Sequence, residues 1–181
     1  GLGIPIHIKN IFNTDSKGTI ISPDAYIDEC IIKSIAYNPN IAMIRLHGSG
    51  IGYKAGIVTT IANALSEKNI NIFSTVSSQT CINLLIETKD ADESYEILKE
   101  YKGNIIERID FQKDIALIAV VGEGVLKRKG IFARVLGAVS DNRINIEMAS
   151  AGASEVAVYL IIASDDVDDA IKSIHKEFFG K

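Results

Sequence analysis

The sequence repeats itself once at a fixed spacing of 74 residues. Residues 41–72 and 115–146 each hold an apolar run, a turn rich in glycine, an amphipathic run and the triplet Ile-Asn-Ile. Among the matching positions, Gly48, Gly50, Gly56, Ile57, Ala64 and Ser66 correspond to Gly122, Gly124, Gly130, Ile131, Ala138 and Ser140. One spacing kept over such a length indicates two copies of a supersecondary unit. The sequence therefore predicts two small domains of about 70 residues each.

Composition narrows the class of protein. Hydrophobic residues make up 47% of the 181 residues and charged residues 23%, which is typical of a globular chain. The net charge is −4 and no long basic run occurs, which argues against a nucleic-acid partner. Cys30 and Cys81 lack metal-ligand spacing and fit a reducing cytoplasm. Neither a signal peptide nor an apolar run of about eighteen residues is present, so we expect a cytoplasmic protein without a membrane partner.

The first unit has the pattern β-α-β-β-α-β. Its predicted elements are a strand at 41–46, a helix at 55–68, a hairpin of strands at 71–75 and 81–87, a helix from 91 to 101 and a strand at 104–111. This order is typical of the ferredoxin-like fold, an α+β arrangement with an antiparallel sheet and both helices on one face. Because each such sheet leaves an edge unpaired, we expect side-by-side pairing between units or between chains.

The second unit lacks its last strand. Its predicted elements are a strand at 115–121, a helix at 130–142, a hairpin of strands at 145–150 and 155–162 and a helix from 165 to 178. A surplus strand at 29–37 precedes unit one, separated from it by a predicted turn at Asn38-Pro39-Asn40. We therefore predict that residues 31–36 complete the sheet of unit two, with unit one inserted. The predicted division is residues 38–112 for the first domain, 26–37 plus 113–181 for the second, and 1–25 as a linker or the trailing end of a preceding domain.

The turn at residues 48–56 is the strongest candidate site. Glycines let backbone N–H groups approach a ligand, and the predicted helix start near Ala55 offers free donors and a positive dipole end. Such a turn suits a carboxylate or a phosphate. A dinucleotide site is disfavoured because no acidic residue follows at the expected spacing. The alternative is that the glycines only form a tight connection.

Signs of catalysis or metal binding are absent from the sequence pattern. His7, His47 and His175 lie far apart, without an acidic or cysteine cluster at ligand spacing. Lys127-Arg128-Lys129 is more typical of a solvated loop than of a phosphate site. We expect neither a catalytic residue nor a metal ligand in this chain.

These features resemble paired ACT domains, the amino-acid-sensing modules, in the arrangement found in the C-terminal regulatory region of aspartate kinases. Three stretches carry the resemblance: residues 3–13 with 18–21, residues 120–124 with 130–134, and residues 144–156. The first is similar to the end of the kinase domain, which identifies residues 1–25 as its trailing end or a linker. In that family, too, one unit is inserted in the other.

The resemblance implies a regulatory role. Full-length aspartate kinases transfer a phosphoryl group from ATP, with magnesium, to the side-chain carboxylate of aspartate. Their Lys-Phe-Gly-Gly motif is absent from this sequence, so the chain is expected to be non-catalytic and to hold no cofactor. The implied partners are its own kinase domain, a second copy in a homodimer and an amino-acid effector. A free-standing ACT sensor and a dimerisation scaffold without a ligand are the alternatives.

The resemblance also implies effector-binding residues, in the loop before the first helix and at the start of the second strand of each unit. In unit one they are Ile51, Gly52, Lys54, Ala55, Gly56, Ile57, Val58, Asn71, Ile72 and Phe73; in unit two they are Leu126, Lys129, Gly130, Ile131, Phe132, Asn145, Ile146 and Glu147. Lysine-sensing relatives carry an acidic residue where unit one has Phe73, so unit one favours threonine or no ligand. In unit two Glu147 occupies this position, so lysine stays a possible effector there.

Overall fold

The structure, a computed structural model, describes residues 4–21, 31–103 and 106–180. The strands are β1 (Ile6–Ile8), β2 (Thr19–Ile21), β3 (Ser34–His47), β4 (Ile72–Ser77), β5 (Cys81–Glu87), β6 (Arg108–Val121), β7 (Met148–Ala151) and β8 (Ala157–Ala163). The helices are α1 (Ile57–Ser66), α2 (Ala91–Lys99), α3 (Ile131–Ser140) and α4 (Val167–Phe179), with short 3-10 helices at Thr88–Asp90 and Ser164–Asp166. The predicted boundary between residues 25 and 26 and the predicted strand starts at Glu29 and Asn104 lie outside the described residues.

Six strands form one antiparallel sheet in the order β4-β5-β3-β6-β8-β7. Its two central strands are 14 residues long, and they match each other end to end at the repeat spacing. The second half of β3 pairs with β5 and with the start of β6, whereas the first half pairs with the end of β6. The two units therefore share β3 and β6 within one sheet, instead of pairing two separate sheets side by side.

The surplus strand pairs with unit two. Ser34, Ile35 and Ala36 lie opposite Val121, Val120 and Ala119. Ile31 and Ile32 are buried in the core of unit two. Each half of the sheet thus has the ferredoxin-like strand order, and the predicted α+β arrangement with one unit inserted in the other is confirmed. The domain boundaries themselves stay a prediction.

The predicted turn at Asn38-Pro39-Asn40 is wrong, because the chain runs through it as part of β3. The register shifts there between Asn38 and Ile41, as in a β-bulge. Proline has no N–H to give to a sheet, and a bulge leaves one residue unpaired, so Pro39 fits without a lost hydrogen bond. A second shift on β6 similarly bridges the predicted gap between Phe111 and Ile115.

Each unit has its own core between the sheet and its two helices. In α1 the buried side chains are Ile57, Ile61, Ala64 and Leu65, and their spacing of three and four residues places one apolar stripe against the sheet. A third buried cluster, which includes Ile41 and Ile115, lies on the opposite face of the sheet. A cavity of about 290 Å³ on that face is lined by both edge strands, through Phe73 and Met148, so the sheet curls strongly.

The N-terminal segment forms a separate two-stranded sheet. Strand β1 pairs antiparallel with β2, and its side chains are exposed. Among the helices of the described residues, none is both long and apolar enough to cross a lipid bilayer.

Candidate functional site

The loop after β3 is anchored to the β4–β5 hairpin. The Gly48 N–H donates to the Thr80 carbonyl at 2.9 Å, and the Gly52 N–H donates to the Gln79 carbonyl at 2.8 Å. A Cβ at position 52 would lie 2.5 Å from the Gln79 Cα, so only glycine fits this close approach. Part of the glycine pattern therefore serves to place the loop.

The start of α1 presents free backbone donors. Gly56 precedes the helix with a φ of 89°, and no side chain caps the helix or places an acid in its first turn. The first N–H groups of a helix have no partner within the helix, and they form its positive end. Gly130 starts α3 in the same way, with a φ of 83°.

A cleft of about 550 Å³ opens at the start of α1. The predicted residues that line it are Lys54, Ala55, Gly56 and Ile57, and its other lining residues are Thr60, Ile61, Glu100, Tyr101, Lys102, Gly103 and Ile106. The second wall was missed by sequence reasoning. The two helices of a β-α-β-β-α-β unit run antiparallel, so this order alone could have placed the end of α2 beside the start of α1.

In unit two the corresponding space is covered. Helix α4 has 13 residues, against nine in α2. The Arg134 Nε donates to the Glu177 carboxylate at 2.6 Å, and the guanidinium lies 4.5 Å from the centre of the Phe178 ring. Phe132 and Phe178 pack against the core of unit two. Of the two predicted loops, the one in unit one leads into the open cleft.

The predicted strand-start residues lie far from their own loops. Ile72, at the start of β4, is level with Ile86 and through it with Ala42, whereas the loop follows His47. Five residues of extended strand span roughly 17 Å. In unit two, the Glu147 N–H donates to the Ile161 carbonyl, likewise towards the far end of the unit from its loop. Within one chain, a single amino acid therefore does not span both groups of a unit.

Glu147 forms an ion pair with Arg45 of unit one. The Arg45 Nη2 donates to Glu147 Oε2 at 2.7 Å, and the Asn145 amide donates to Oε1 at 3.2 Å. Arg45 Nη1 also donates to the Gln112 amide oxygen at 2.9 Å. The Glu147 carboxylate, which the sequence analysis kept as a possible partner for a lysine effector, is therefore already bound by Arg45 and Asn145. No local pattern in the sequence pointed to Arg45.

Polar side chains gather where β3, β5 and β6 meet at the loop. His47 Nε2 lies 3.0 Å from the Asp110 carboxylate, which also pairs with Arg108 at 3.0 Å. Burial raises the pKa of the Cys81 thiol, Asp110 raises it further and the nearby Arg45 acts in the opposite direction. A thiol with a raised pKa is a poor nucleophile. Within the described ranges, no three acidic, histidine or cysteine side chains group as metal ligands do.

Comparison with known proteins adds the family. Models of the ACT domain match residues 36–100 and 118–178. Aspartokinase 2 of Bacillus subtilis is 26% identical over 181 residues, which cover 97% of this chain and 43% of that protein.

Two solved structures have the same fold over most of the chain. The aspartate kinase of Clostridium acetobutylicum is 29% identical with a TM-score of 0.88, over 97% of this chain and 42% of that one. The regulatory subunit of aspartate kinase from Thermus thermophilus is 25% identical with a TM-score of 0.75, over 82% of this chain and 98% of that one. The chain thus spans less than half of the longer relatives and nearly all of the regulatory subunit. It is a tandem pair of ACT domains, homologous to the regulatory regions of aspartate kinases.

Proposed function

We propose that this chain is the amino-acid-sensing region of a cytoplasmic aspartate kinase. An end product of the aspartate-derived pathway, threonine before lysine, binds the ACT domains and shifts the kinase between active and inactive arrangements. Phosphoryl transfer from ATP, with magnesium, to aspartate belongs to the kinase domain. The observation that carries the proposal is the cleft at the start of α1.

The cleft suits a zwitterion with a neutral side chain. The effector carboxylate is placed at the uncapped start of α1, where free N–H groups and the Lys54 ammonium favour a negative charge. Glu100, on the opposite wall, supplies the negative charge that an α-ammonium needs. Thr60 and Tyr101 add hydroxyl groups for a polar side chain.

The same charges disfavour lysine. Lys54 and Lys102 both line the cleft, and residues 48–56 contain no acidic residue. Among the described residues that line the cleft, Glu100 is the one acid, and it is already assigned to the α-ammonium. A second ammonium would therefore be desolvated without a partner, which is costly. This argument ranks threonine first.

A homodimer completes the proposed arrangement. The strand-start residues of unit one lie roughly 17 Å along the strand from the loop of that unit, and Glu147 of unit two, level with Leu117, lies roughly 13 Å from the loop after Val121. A second copy of the chain brings a strand start, such as Asn145–Glu147, to the loop of its partner. Binding then links two chains, which gives the effector a means to change the relative placement of the kinase domains.

The test is thermal unfolding of the protein, alone and with millimolar threonine, lysine or methionine. A ligand at one hundred times its dissociation constant stabilises by about 2.7 kcal/mol, and the midpoint should then rise by several degrees. We expect this rise with threonine. Lys54→Ala should reduce it, whereas Arg128→Ala, at the equivalent position of unit two, should leave it unchanged.

A rise with lysine alone would overturn the ranking of effectors. The absence of a rise with any of the three amino acids would contradict sensing and favour a dimerisation scaffold.

A further inference from the structure

Arg45 and Glu147 connect the two units across the face of the sheet opposite the helices. They lie 102 residues apart in the chain, one on β3 and the other just before β7. Their side chains are 24% and 28% exposed, so the pair is partly buried. Each carboxylate oxygen of Glu147 has a donor, Arg45 for one and Asn145 for the other.

The guanidinium of Arg45 is held from two sides. Gln112 accepts from its Nη1 at 2.9 Å while Glu147 accepts from its Nη2. Withdrawal of Glu147 would leave a mostly buried cation with one neutral partner. Such a loss is more costly than the loss of an exposed ion pair, because the remaining charge stays desolvated.

This pair has no equivalent in unit one. At the repeat spacing, Glu147 corresponds to Phe73 and Arg45 to Ala119. At these two repeat positions unit one therefore has neither the carboxylate nor the cation.

We propose that Arg45 makes the Asn145–Glu147 part of the effector site selective for neutral amino acids. A lysine ammonium that approached Glu147 would have to share its carboxylate with the Arg45 guanidinium, and the two like charges would repel each other at close range. A neutral effector such as threonine makes no demand on Glu147. This inference rests on the proposed function and extends it from a named effector to a class, amino acids without a positive side chain.

The experiment is calorimetric titration of the protein with lysine and with threonine. Arg45→Met removes the charge and keeps an apolar stem of similar length, so Glu147 becomes free. We expect the affinity for lysine to rise about tenfold or more, and the affinity for threonine to change by less than about threefold. Arg45→Lys retains the positive charge beside Glu147 and should keep lysine excluded, as in the unmodified protein.

Two further variants test the assignment. The double variant Arg45→Met with Glu147→Gln should lose the gained affinity, because the free carboxylate is gone. Lys113→Met is the matched control, since it breaks the ion pair with Asp92 at 2.7 Å away from this site. It should leave both affinities unchanged.

Three outcomes would overturn the inference. If the unmodified protein binds lysine as tightly as Arg45→Met does, Arg45 does not select. If threonine binds and Arg45→Met leaves the lysine affinity unchanged, this inference is wrong while the proposed function stands. If no amino acid binds any of these proteins, both are wrong.

Discussion

Ile41 lies directly opposite Ile115 at the centre of the sheet, and the two residues are equivalent positions of the internal repeat. Both are buried, with 1% and 0% of their surface exposed. A register shift lies on each side of this pair. The pair therefore marks the centre of an approximate twofold relationship, and the strands that carry it belong to both units.

Loss of either central side chain should weaken the whole chain. We expect Ile41→Ala and Ile115→Ala each to lower the free energy of unfolding by about 2–5 kcal/mol, because each leaves a cavity in a packed cluster. Urea unfolding followed by circular dichroism measures this. Val156→Ala, which shortens the side chain of a residue that is 38% exposed, should cost less than about 1 kcal/mol.

The same experiment tests whether the units unfold together. Because β3 and β6 each take part in both halves of the sheet, we expect one cooperative transition in every variant. The double variant should differ from the sum of the two single changes, since the side chains belong to one buried cluster. Two separate transitions would show that the shared strands do not couple the units.

Most of the fold could be predicted from the internal repeat. Counting strands in the two copies led to the exchanged strand, because a sheet short of one strand and a spare strand elsewhere have one simple solution. Pro39 misled the same reasoning, since proline and asparagine are common in turns and a bulge depends on pairing along both sides of the strand. The prediction made the chain reverse its direction at residues 38–40, whereas in the structure β3 continues through them.

The sequence predicted only one of the two walls of the cleft. The glycines and Lys54 form one wall of the cleft and stand in a local pattern. Tyr101 and Lys102 of the other wall directly follow α2, so their position depends on helix packing and not on a motif. The Arg45–Glu147 pair depends on the curl of the sheet, and no local pattern in the sequence indicates a contact between residues that lie 102 positions apart.

The glycines at the helix starts should resist substitution for a backbone reason. Gly56 has a φ of 89°, and a Cβ there would meet nothing within 4 Å. We therefore expect Gly56→Ala to cost about 1–2 kcal/mol through the left-handed backbone alone. Gly137→Ala, inside α3 and also in open space, should instead stabilise by about 0.5–1 kcal/mol. Urea unfolding distinguishes the two, and equal effects would contradict the argument.

Ser49 sets the ionisation of Glu107, at the entrance to the same loop. The Ser49 N–H and hydroxyl both donate to Glu107 Oε1, at 3.0 and 2.7 Å, and these hydrogen bonds lower the pKa of the carboxyl group. With the folded-state pKa below the unfolded-state pKa, the contribution of this contact is fully present above the unfolded-state pKa. It is lost as the pH falls through the lower folded-state pKa. Acid should therefore loosen residues 48–50 before the cores unfold.

Titration of Glu107 by NMR checks this relationship. We expect Ser49→Ala to raise the pKa of Glu107 part of the way towards its ordinary value, because the hydroxyl donor is removed and the backbone N–H, the stronger influence, remains. Ser66→Ala, at an exposed position at the end of α1, should leave the titration unchanged. An unchanged pKa of Glu107 in the Ser49→Ala variant would mean that the backbone donor alone holds the carboxylate. The acid sensitivity of the loop would then depend on the path of the backbone and not on the serine side chain.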